Sequence, residues 1–455
     1  MRKQFDIVIK GGAVVSFEEG RLMERHNVGI RGGVIKAVTA EEITGRNIIN
    51  AAGKIVSPGF IDFHSHVDGK VYSAQRLALQ GATMTIGGER NFDGNLIRKI
   101  SEEGFLINHG FYISHSFTLR RAVGIKDPYR PATGKEIKDM IILAEQFFKN
   151  GSFGIHFGLE FVPGASEREM TELARLAKAY NRIVLIHLRK DGHETINSFR
   201  EVINISQQTG ASVHIQHLMY MAGFKGIMEK LLSMIREARS QGHDITADTG
   251  VYEAFPTCIG ASILDRGWEK KYGEAVSAKN LVISSGIYAG QVCNEEYFQY
   301  LREEFPNTLV TVFVLDEPEI KRALKEPYVF VSTNAADGPH YEHIGHPETA
   351  GTFPRLIRRY VREEKTLSLL EAIGKITREP ALRFNIRQRG EIKKENKADI
   401  VIFDYETIRD NARYVNRGDP NREPEGIEYV LVNGQIIVEK GKIYSEKKPG
   451  SVLNY

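Results

Sequence analysis

The chain has 455 residues, of which 42% are hydrophobic and 26% charged, a balance typical of folded globular proteins and not of disordered or fibrous ones. Its formal net charge is +3, with 61 basic and 58 acidic residues distributed along the chain. This distribution argues against the basic stripe or tail of a nucleic-acid or membrane-surface binder, so we expect a small-molecule substrate.

Neither the N-terminus nor any later segment predicts export or membrane insertion. The opening MRKQFDIVIKGG is interrupted by polar residues too early for a secretory signal, and no apolar run reaches transmembrane length. Cys258 and Cys293 are the only cysteines, too few for a disulfide framework and without the spacing of a thiolate zinc site. We therefore expect a cytoplasmic protein in which both cysteines pack as small apolar residues. Assembly into a homo-oligomer is left open.

Both ends of the chain predict short β-strands. The β-type runs cover 5–9, 13–15 and 28–30 near the start, and 399–403, 429–432 and 435–438 near the end. Gly11-Gly12 and Gly32-Gly33 break the first set and predict hairpins, and Asn433-Gly434 is a strong signal for a type I′ turn. Because neither end alone has enough strands for a stable sheet, we expect one small β-sandwich built from residues 1–55 and 386–455.

The middle of the chain, residues 56–385, alternates short apolar runs with amphipathic helical stretches. The apolar runs lie at 83–86, 183–186 and 211–215, and the helical stretches at 167–180, 194–209, 226–241 and 355–364. Each apolar run is followed by polar or ionisable residues. This alternation predicts an α/β fold, a (β/α)₈ TIM barrel, in which all strands end on one face and residues far apart in sequence converge there.

Histidines follow several of these β-type runs. His64 and His66 end the segment PGFIDFHSH, and because residues i and i+2 of a strand face the same way, both can bind one ion. His187 and His217 follow two later runs. Four imidazoles at one rim match the nitrogen preference of zinc and its neighbours. His214 should have a different orientation, and we expect it to be structural.

A carboxylate is also needed, to complete such a site and to move protons. Asp337 is the best candidate, because it ends the late β-type run that begins at Val329, where the last barrel strand should finish. The alternative is an Asx turn, since an aspartate before a glycine is common in loops.

These residues together resemble the N-acyl-D-amino-acid deacylase (D-aminoacylase) branch of the amidohydrolase superfamily, over nearly the whole chain. The matching segments are PGFIDFHSH, GLEFVPGA, IHLRKDG, QHL, AADGPH, HPETAGTFPR, RGEIKKENKADIVIFD and the C-terminal PGSVLNY. The resemblance implies a β-sandwich with a metal-bearing barrel and hydrolysis of the amide of an N-acylated amino acid. It assigns His64, His66, His187, His217 and Asp337 to a site for one or two divalent metal ions, zinc first.

The sequence departs from this family where a cysteine usually bridges the two metal positions. The segment here reads Thr85-Ile86-Gly87-Gly88-Glu89, so Glu89 replaces the cysteine and joins the expected ligands. A carboxylate can bridge two divalent ions, but hard oxygen ligands weaken the preference for zinc and admit manganese, iron or cobalt. A salt-bridged surface position for Glu89 is the alternative.

Two cations that anchor a substrate carboxylate in the family are also missing. The family's lysine after the histidine that corresponds to His217 aligns with Met219, and the arginine of its HPR segment aligns with Glu348. An unpaired carboxylate buried beside Glu348 would be unfavourable, so a neutral or cationic substrate is expected, with Glu348 pairing an amine or guanidinium. The alternative is an exposed loop position for Glu348.

The expected reaction is hydrolysis of a linear amide. A divalent ion lowers the pKa of bound water to about 7 and polarises the carbonyl, while Asp337 acts as general acid and base. Tyr252 or Arg189 is expected to stabilise the oxyanion, with structural hydrogen bonding as the alternative for both. A cyclic amidase or ring deaminase of the same superfamily and a non-catalytic scaffold are the rival functions. Cyclic amidases usually bridge their metals with a carbamylated lysine, and no lysine ends the β-type runs identified above.

Overall fold

A computed structural model describes residues 4–88, 94–224, 226–335 and 345–455, without the side chain of His193. The strands are β1 (Phe5–Ser16), β2 (Arg21–Arg31), β3 (Val34–Thr39), β4 (Gly45–Asn50), β5 (Ile55–Pro58), β6 (Phe60–Asp62), β7 (Ala82–Gly87), β8 (Asn108–Phe111), β9 (Ile113–Ser114), β10 (Gly154–Gly158), β11 (Ile183–His187), β12 (Val213–Ile215), β13 (Ile245–Thr249), β14 (Phe255–Cys258), β15 (Leu281–Ile283), β16 (Leu309–Val312), β17 (Val329–Val331), β18 (Ile400–Phe403), β19 (Ile427–Val432), β20 (Gln435–Glu439) and β21 (Lys442–Ile443).

The α-helices are α1 (Val71–Leu79), α2 (Gly94–Glu103), α3 (Arg120–Ala122), α4 (Gly134–Lys149), α5 (Glu167–Ala179), α6 (Thr195–Thr209), α7 (Leu218–Ala222), α8 (Met228–Ser240), α9 (Glu295–Glu304), α10 (Glu317–Lys325), α11 (Glu348–Arg355), α12 (Leu369–Ile376) and α13 (Arg378–Arg383). Wider π-helical turns cover His115–Leu119 and Leu356–Glu363. Short 3₁₀ turns cover Leu159–Phe161, Gly192–Glu194, Ser262–Leu264, Trp268–Lys271 and Ala278–Asn280.

Strands from both ends of the chain form one hydrogen-bonded sheet. Its order is β21-β20-β19-β18-β5-β1-β2-β3, with β4 paired to β1. The two chain ends meet at the antiparallel pair of β5 and β18, where Val56 lies opposite Ile402. An apolar core that includes Ile9, Val28 and Ile400 covers one side of these strands. The chain ends therefore combine in one β region, as the sequence predicts.

The hairpin predicted at Gly11-Gly12 is wrong. β1 continues through both glycines, and its register with β2 shifts there, which is the signature of a β-bulge. Gly11 has a φ of 73°, and a Cβ added to Gly12 would lie only 2.4 Å from Cγ2 of Val56. Glycine is needed here for close strand packing rather than for a reversal of the chain.

The other two predicted turns are confirmed. Gly32-Gly33 connects β2 to β3, and Asn433-Gly434 connects β19 to β20 as a two-residue hairpin loop. All four residues have positive φ, as a type I′ turn requires at its central positions.

Between the two ends, parallel strands alternate with helices, which confirms the predicted α/β class. One sheet contains β6, β7 and β8, and another has the order β17-β13-β12-β11-β10-β9. The two sheets are joined on one side by a backbone hydrogen bond. The N–H of Phe153, just before β10, donates to the carbonyl of Phe111, the last residue of β8, at 2.9 Å. The other edges of the two sheets also meet. The N–H of Asn334, which follows β17, donates to the carbonyl of His64, which follows β6, at 3.0 Å. A small antiparallel sheet of β14, β16 and β15 is inserted between β13 and β17.

The predicted helical stretches are found, and their starts follow from local sequence. The stretches at 167–180, 194–209 and 226–241 correspond to α5, α6 and α8. Capping boxes begin α4, α5 and α12; at α5, the side chain of Ser166 accepts from the N–H of Glu169 and the Glu169 carboxylate accepts in return. The stretch at 355–364 is π-helical, and it follows Pro354, which has no backbone N–H to continue a regular ladder.

The C-terminal residues return to the opposite end of the parallel strands. Val452 bridges to His109 near the start of β8, and the N–H of Tyr455 donates to the carbonyl of Gly151 just before β10. The tail therefore covers the N-terminal ends of these strands and leaves the C-terminal ends for a site. No helix in the described parts of the chain is both long and apolar enough to cross a membrane.

Candidate active site

Four of the predicted metal ligands lie together at the C-terminal ends of the parallel strands. His64 and His66 follow β6, His187 is the last residue of β11, and His217 lies two residues beyond β12. The ring centroids of His187 and His217 are 4.4 Å apart, those of His64 and His217 are 5.1 Å apart, and those of His64 and His66 are 6.1 Å apart. The four imidazoles therefore form one continuous group of neighbouring rings.

The other two predicted ligands, Glu89 and Asp337, lie outside the described residues, and their place in the site stays a prediction. Their described neighbours Gly88 and Ala335 lie just beyond β7 and β17, on the same strand-end face. The N–H of His66 donates to the carbonyl of Ala335 at 2.7 Å. Within the described ranges, no three His, Cys, Asp or Glu side chains are placed so that they alone could hold a metal ion.

Asp248, in β13, is a buried carboxylate that the sequence analysis did not select. It lies 3.0 Å from Nδ1 of His64 and 3.0 Å from Nε2 of His214, and it accepts a hydrogen bond from the backbone N–H of His217 at 2.8 Å. Burial opposes its charge, but the charges and hydrogen bonds of His64 and His214 hold the pKa of Asp248 well below its usual range. A signal for it exists in the sequence, because Asp248 lies near the end of a buried β-type run, as His187 does.

His187 and His66 also have polar neighbours. Nε2 of His187 lies 2.7 Å from a carboxylate oxygen of Glu160, which follows β10 in the GLEFVPGA segment. Nε2 of His66 lies 3.2 Å from the side-chain oxygen of Asn334. Partners of this kind fix the tautomer and orientation of ligand imidazoles. His214 packs its ring against three phenylalanines, in agreement with the structural role expected for it.

The imidazole of His217 has the properties of a metal ligand. Its Nδ1 is buried and has no hydrogen-bond partner among the described residues. Burial, together with the neighbouring His187 and His64, lowers the pKa of His217 well below its usual value, so the ring is neutral at pH 7. A neutral imidazole with a buried nitrogen that lacks a partner is the donor that zinc and similar ions bind. The histidine group therefore fits a divalent ion by its donor chemistry.

Glu348 lies close to this group and is not an exposed loop residue. It begins α11 and is 2% exposed, and it accepts a hydrogen bond from the hydroxyl of Tyr220. The ring of Tyr220 stacks against His217 with centroids 5.4 Å apart. Burial raises the pKa of Glu348 to about 8. Among the described residues, no lysine or arginine forms a salt bridge with Glu348, whose one ion-pair contact is to His346 at 3.5 Å.

The two predicted oxyanion donors lie in different surroundings. Tyr252 is buried, donates a hydrogen bond to the carbonyl of Pro347 at 3.4 Å and packs beneath the guanidinium of Arg355, which puts it on the Glu348 side of the site. Arg189 instead donates to Glu201 at 2.8 Å and to the carbonyls of Pro163 and Ala165 at 2.8 and 3.0 Å. These contacts engage the guanidinium of Arg189 in local structure, which is the alternative expected for it.

Comparison with known proteins finds a family match over part of the chain and similar proteins over its whole length. Residues 333–438 match the model of the amidohydrolase family. The chain is 27% identical to the N-acyl-D-glutamate deacylase of Alcaligenes xylosoxydans xylosoxydans, with 100% of this chain and 97% of the relative covered.

Two solved structures are similar in both sequence and fold. The crystal structure of a D-aminoacylase has a TM-score of 0.86 and 26% identity over 99% of this chain and 100% of that one. The N-acyl-D-glutamate deacylase of Bordetella bronchiseptica, solved with zinc and a phosphonate that mimics the tetrahedral intermediate, has a TM-score of 0.86 and 25% identity over 100% of both chains. In its sequence and its fold alike, the chain thus resembles the N-acyl-D-amino-acid deacylases of the amidohydrolase superfamily over its whole length.

Proposed function

We propose that this chain is a metal-dependent hydrolase that cleaves the linear amide of an N-acyl amino acid or a related N-acyl compound. The observation that carries the proposal is the group of four imidazoles, His64, His66, His187 and His217, at the C-terminal ends of parallel strands. Catalytic residues are found at this face in enzymes built on parallel α/β barrels. The full-length similarity to two deacylases supports the same reaction class.

The framework for this activity is a closed (β/α)₈ barrel with a β-sandwich. We propose eight barrel strands and count β8 and β9 together as one of them. Their order around the barrel is β6, β7, β8/β9, β10, β11, β12, β13 and β17. The backbone hydrogen bonds from Phe153 to Phe111 and from Asn334 to His64, on the two sides where the parallel sheets meet, support closure. The proposed divisions of the chain are 1–55 and 386–455 for the sandwich and 56–385 for the barrel.

Six side chains are proposed to hold one or two divalent ions: His64, His66, Glu89, His187, His217 and Asp337. Zinc is the first choice, with manganese, iron or cobalt as alternatives if Glu89 supplies oxygen ligands. When bound, such an ion makes hydroxide available near pH 7 and polarises the amide carbonyl.

Asp337 is proposed as the general acid and base. It would accept the proton of the attacking water and then donate that proton to the departing nitrogen, since expulsion of an unprotonated amine is slow. Tyr252 is proposed as a substrate contact, because its hydroxyl bonds to Pro347, the residue before Glu348. Glu160, whose carboxylate lies 2.7 Å from Nε2 of His187, is proposed to hold that imidazole in place.

The substrate is proposed to be a neutral or cationic small molecule. Glu348 and Tyr220 lie beside His217, and a buried carboxyl group at that place disfavours an unpaired substrate carboxylate. An amine or guanidinium on the substrate would instead give Glu348 an ion-pair partner. A cytoplasmic location is proposed because the sequence has only two cysteines, too few for a disulfide framework.

The proposal is tested by hydrolysis assays on metal-free and reconstituted protein. N-acyl compounds with anionic, neutral and cationic head groups are incubated with protein stripped by a chelator and with protein reloaded with zinc, manganese or cobalt. We expect release of the free amine only after reloading. Cleavage of a cyclic amide without cleavage of any linear one would establish the cyclic amidase instead, and metal-independent cleavage would rule out the proposed mechanism.

A further inference from the structure

The carboxylate of Asp248 connects the ends of several neighbouring strands. Oδ2 lies 3.0 Å from Nδ1 of His64 and 3.0 Å from Nε2 of His214. Oδ1 accepts from the backbone N–H of His217 at 2.8 Å and from the hydroxyl of Ser332 at 2.9 Å. Oδ1 also lies 3.2 Å from Nδ1 of His64, so each oxygen has at least two polar neighbours, and the group is completely buried.

This arrangement determines where His64 carries its proton. An aspartate is ordinarily a carboxylate at neutral pH, and a carboxylate only accepts hydrogen bonds. Nδ1 of His64 must therefore donate, and a neutral imidazole that is protonated on Nδ1 has its lone pair on Nε2. Nε2 is thus the nitrogen that His64 can offer to a divalent ion.

The same carboxylate also holds the backbone of His217. This residue has a φ of 34° and a ψ of 58°, a left-handed conformation that is uncommon for any residue other than glycine. Strained backbone of this kind persists only where the surroundings fix it, and it is concentrated at functional sites. The hydrogen bond from the His217 N–H to Oδ1 of Asp248 is a tether of this kind.

We propose that Asp248 is a positioning residue for the metal site: it sets the tautomer of His64 and the backbone of His217 at the same time. The inference rests on the proposed function, because it takes both histidines as metal ligands. It goes beyond the six side chains of the ligand set, since Asp248 acts through His64 and His217 and not on a metal or a substrate.

The variant Asp248→Asn tests this proposal with almost no change in size. Its amide oxygen can still accept from His217 and Ser332, but its NH₂ group then faces His64 and His214, and an NH₂ group only donates. His64 would have to accept at Nδ1 and carry its proton on Nε2, the nitrogen required for the metal. His214 can adapt, because its other nitrogen lies 2.8 Å from the hydroxyl of Thr246.

The first measurement is zinc affinity by competition with a chromophoric chelator. We expect Asp248→Asn to bind zinc about 10- to 100-fold more weakly than wild type, the usual effect of removing a partner that orients a ligand imidazole. Ser332→Ala is the matched control, because it removes a donor from the same carboxylate and leaves the contact to His64 in place. Its affinity should stay close to that of wild type. Equal affinity in wild type and Asp248→Asn would overturn the proposal.

The second measurement does not depend on metal or activity. Nitrogen NMR of metal-free protein labelled in its histidines, with the His64 signals assigned from a His64→Gln variant, reports the tautomer directly. We expect Nδ1–H for His64 in wild type and Nε2–H in Asp248→Asn. If the variant does not fold, an Nε2–H tautomer in wild type alone is sufficient to refute the proposal, as is weaker zinc binding without a change of tautomer. A wild type that binds no metal would instead refute the proposed function.

Discussion

The hydroxyl of Tyr220 donates a hydrogen bond to the carboxyl group of Glu348, although the two residues are 128 positions apart in sequence. Both side chains are buried, and the Tyr220 ring stacks on His217, one of the proposed metal ligands. Glu348 is therefore one side chain away from the histidine group. This relationship is the basis for a prediction about substrate charge.

The first prediction concerns substrate charge. Wild type should have a higher kcat/KM for a basic N-acetyl analogue and for a carboxamide than for the free N-acetyl-D-amino acid, because the free carboxylate would meet Glu348 without a cation. Glu348→Arg should reverse the order, and Glu303→Arg, at an exposed position of α9, should not. A tenfold or greater preference of wild type for the free carboxylate, equivalent to about 1.4 kcal/mol, would restore ordinary D-aminoacylase activity as the assignment.

The second prediction concerns pH and the stability of the metal-free protein. Burial raises the pKa of Glu348 from 4.5 to about 8, so between these values the folded state binds more protons at this residue than the unfolded state does. Its contribution to stability is therefore full below pH 4.5 and is lost as pH rises through 8, by up to about 1.4 kcal/mol per pH unit. In denaturant titrations from pH 5 to 8, wild type should lose stability relative to Glu348→Gln. Parallel pH profiles for the two proteins would show that Glu348 has no raised pKa.

The third prediction concerns the proposed acid and base. Asp337→Asn should lower kcat by roughly 10²-fold or more, because asparagine can donate a lone pair but cannot carry the proton. Its thermal unfolding should match that of wild type. Asp419→Asn, an exposed aspartate changed in the same way, is the control and should retain full activity. A fully active Asp337→Asn variant would mean that another residue moves the proton.

The fourth prediction concerns the junction between the terminal sheet and the parallel strands. Asp399 accepts from the N–H of Asn433 at 2.7 Å and from the side chain of Asn108 at 3.1 Å, and it pairs with the buried guanidinium of Arg389. Asp399→Ala should therefore lower the free energy of unfolding by about 3–5 kcal/mol, because it leaves a buried cation unpaired. Breaking the exposed pair of Lys10 and Glu42 with Lys10→Ala should cost less than about 1 kcal/mol. Similar effects of the two variants would contradict this reading.

Structural features that depend on a few adjacent residues can be predicted from the sequence. A β-type run followed by histidine was sufficient to locate His187 and His217, and Asn433-Gly434 was sufficient to place a hairpin turn. Gly11-Gly12 was misread, because a glycine pair permits both a turn and a bulge, and the close approach to Val56 that decides between them is a tertiary contact. The hydrogen bond between Tyr220 and Glu348 could not be predicted from local pattern either, because the two residues are 128 positions apart.

Asp248 is a different case, because its position near the end of a β-type run can be recognised in the sequence and its role cannot. A carboxylate at a strand end can bind a metal, donate a proton or hold a histidine, and the residue types alone do not separate these roles. The separation comes from its four hydrogen-bonded neighbours, which include His64, His214 and Ser332 from other strands.

The most direct test of the whole account is the metal content of the purified chain. Elemental analysis after reconstitution and removal of excess metal should find about one or two equivalents of zinc, manganese, iron or cobalt, because the histidine group and the two proposed carboxylates offer enough ligands for both positions. The double variant His64→Ala/His66→Ala should lose most of it. Less than a tenth of an equivalent of any transition metal in reconstituted wild type would contradict the account and remove the basis for a metal-dependent hydrolase.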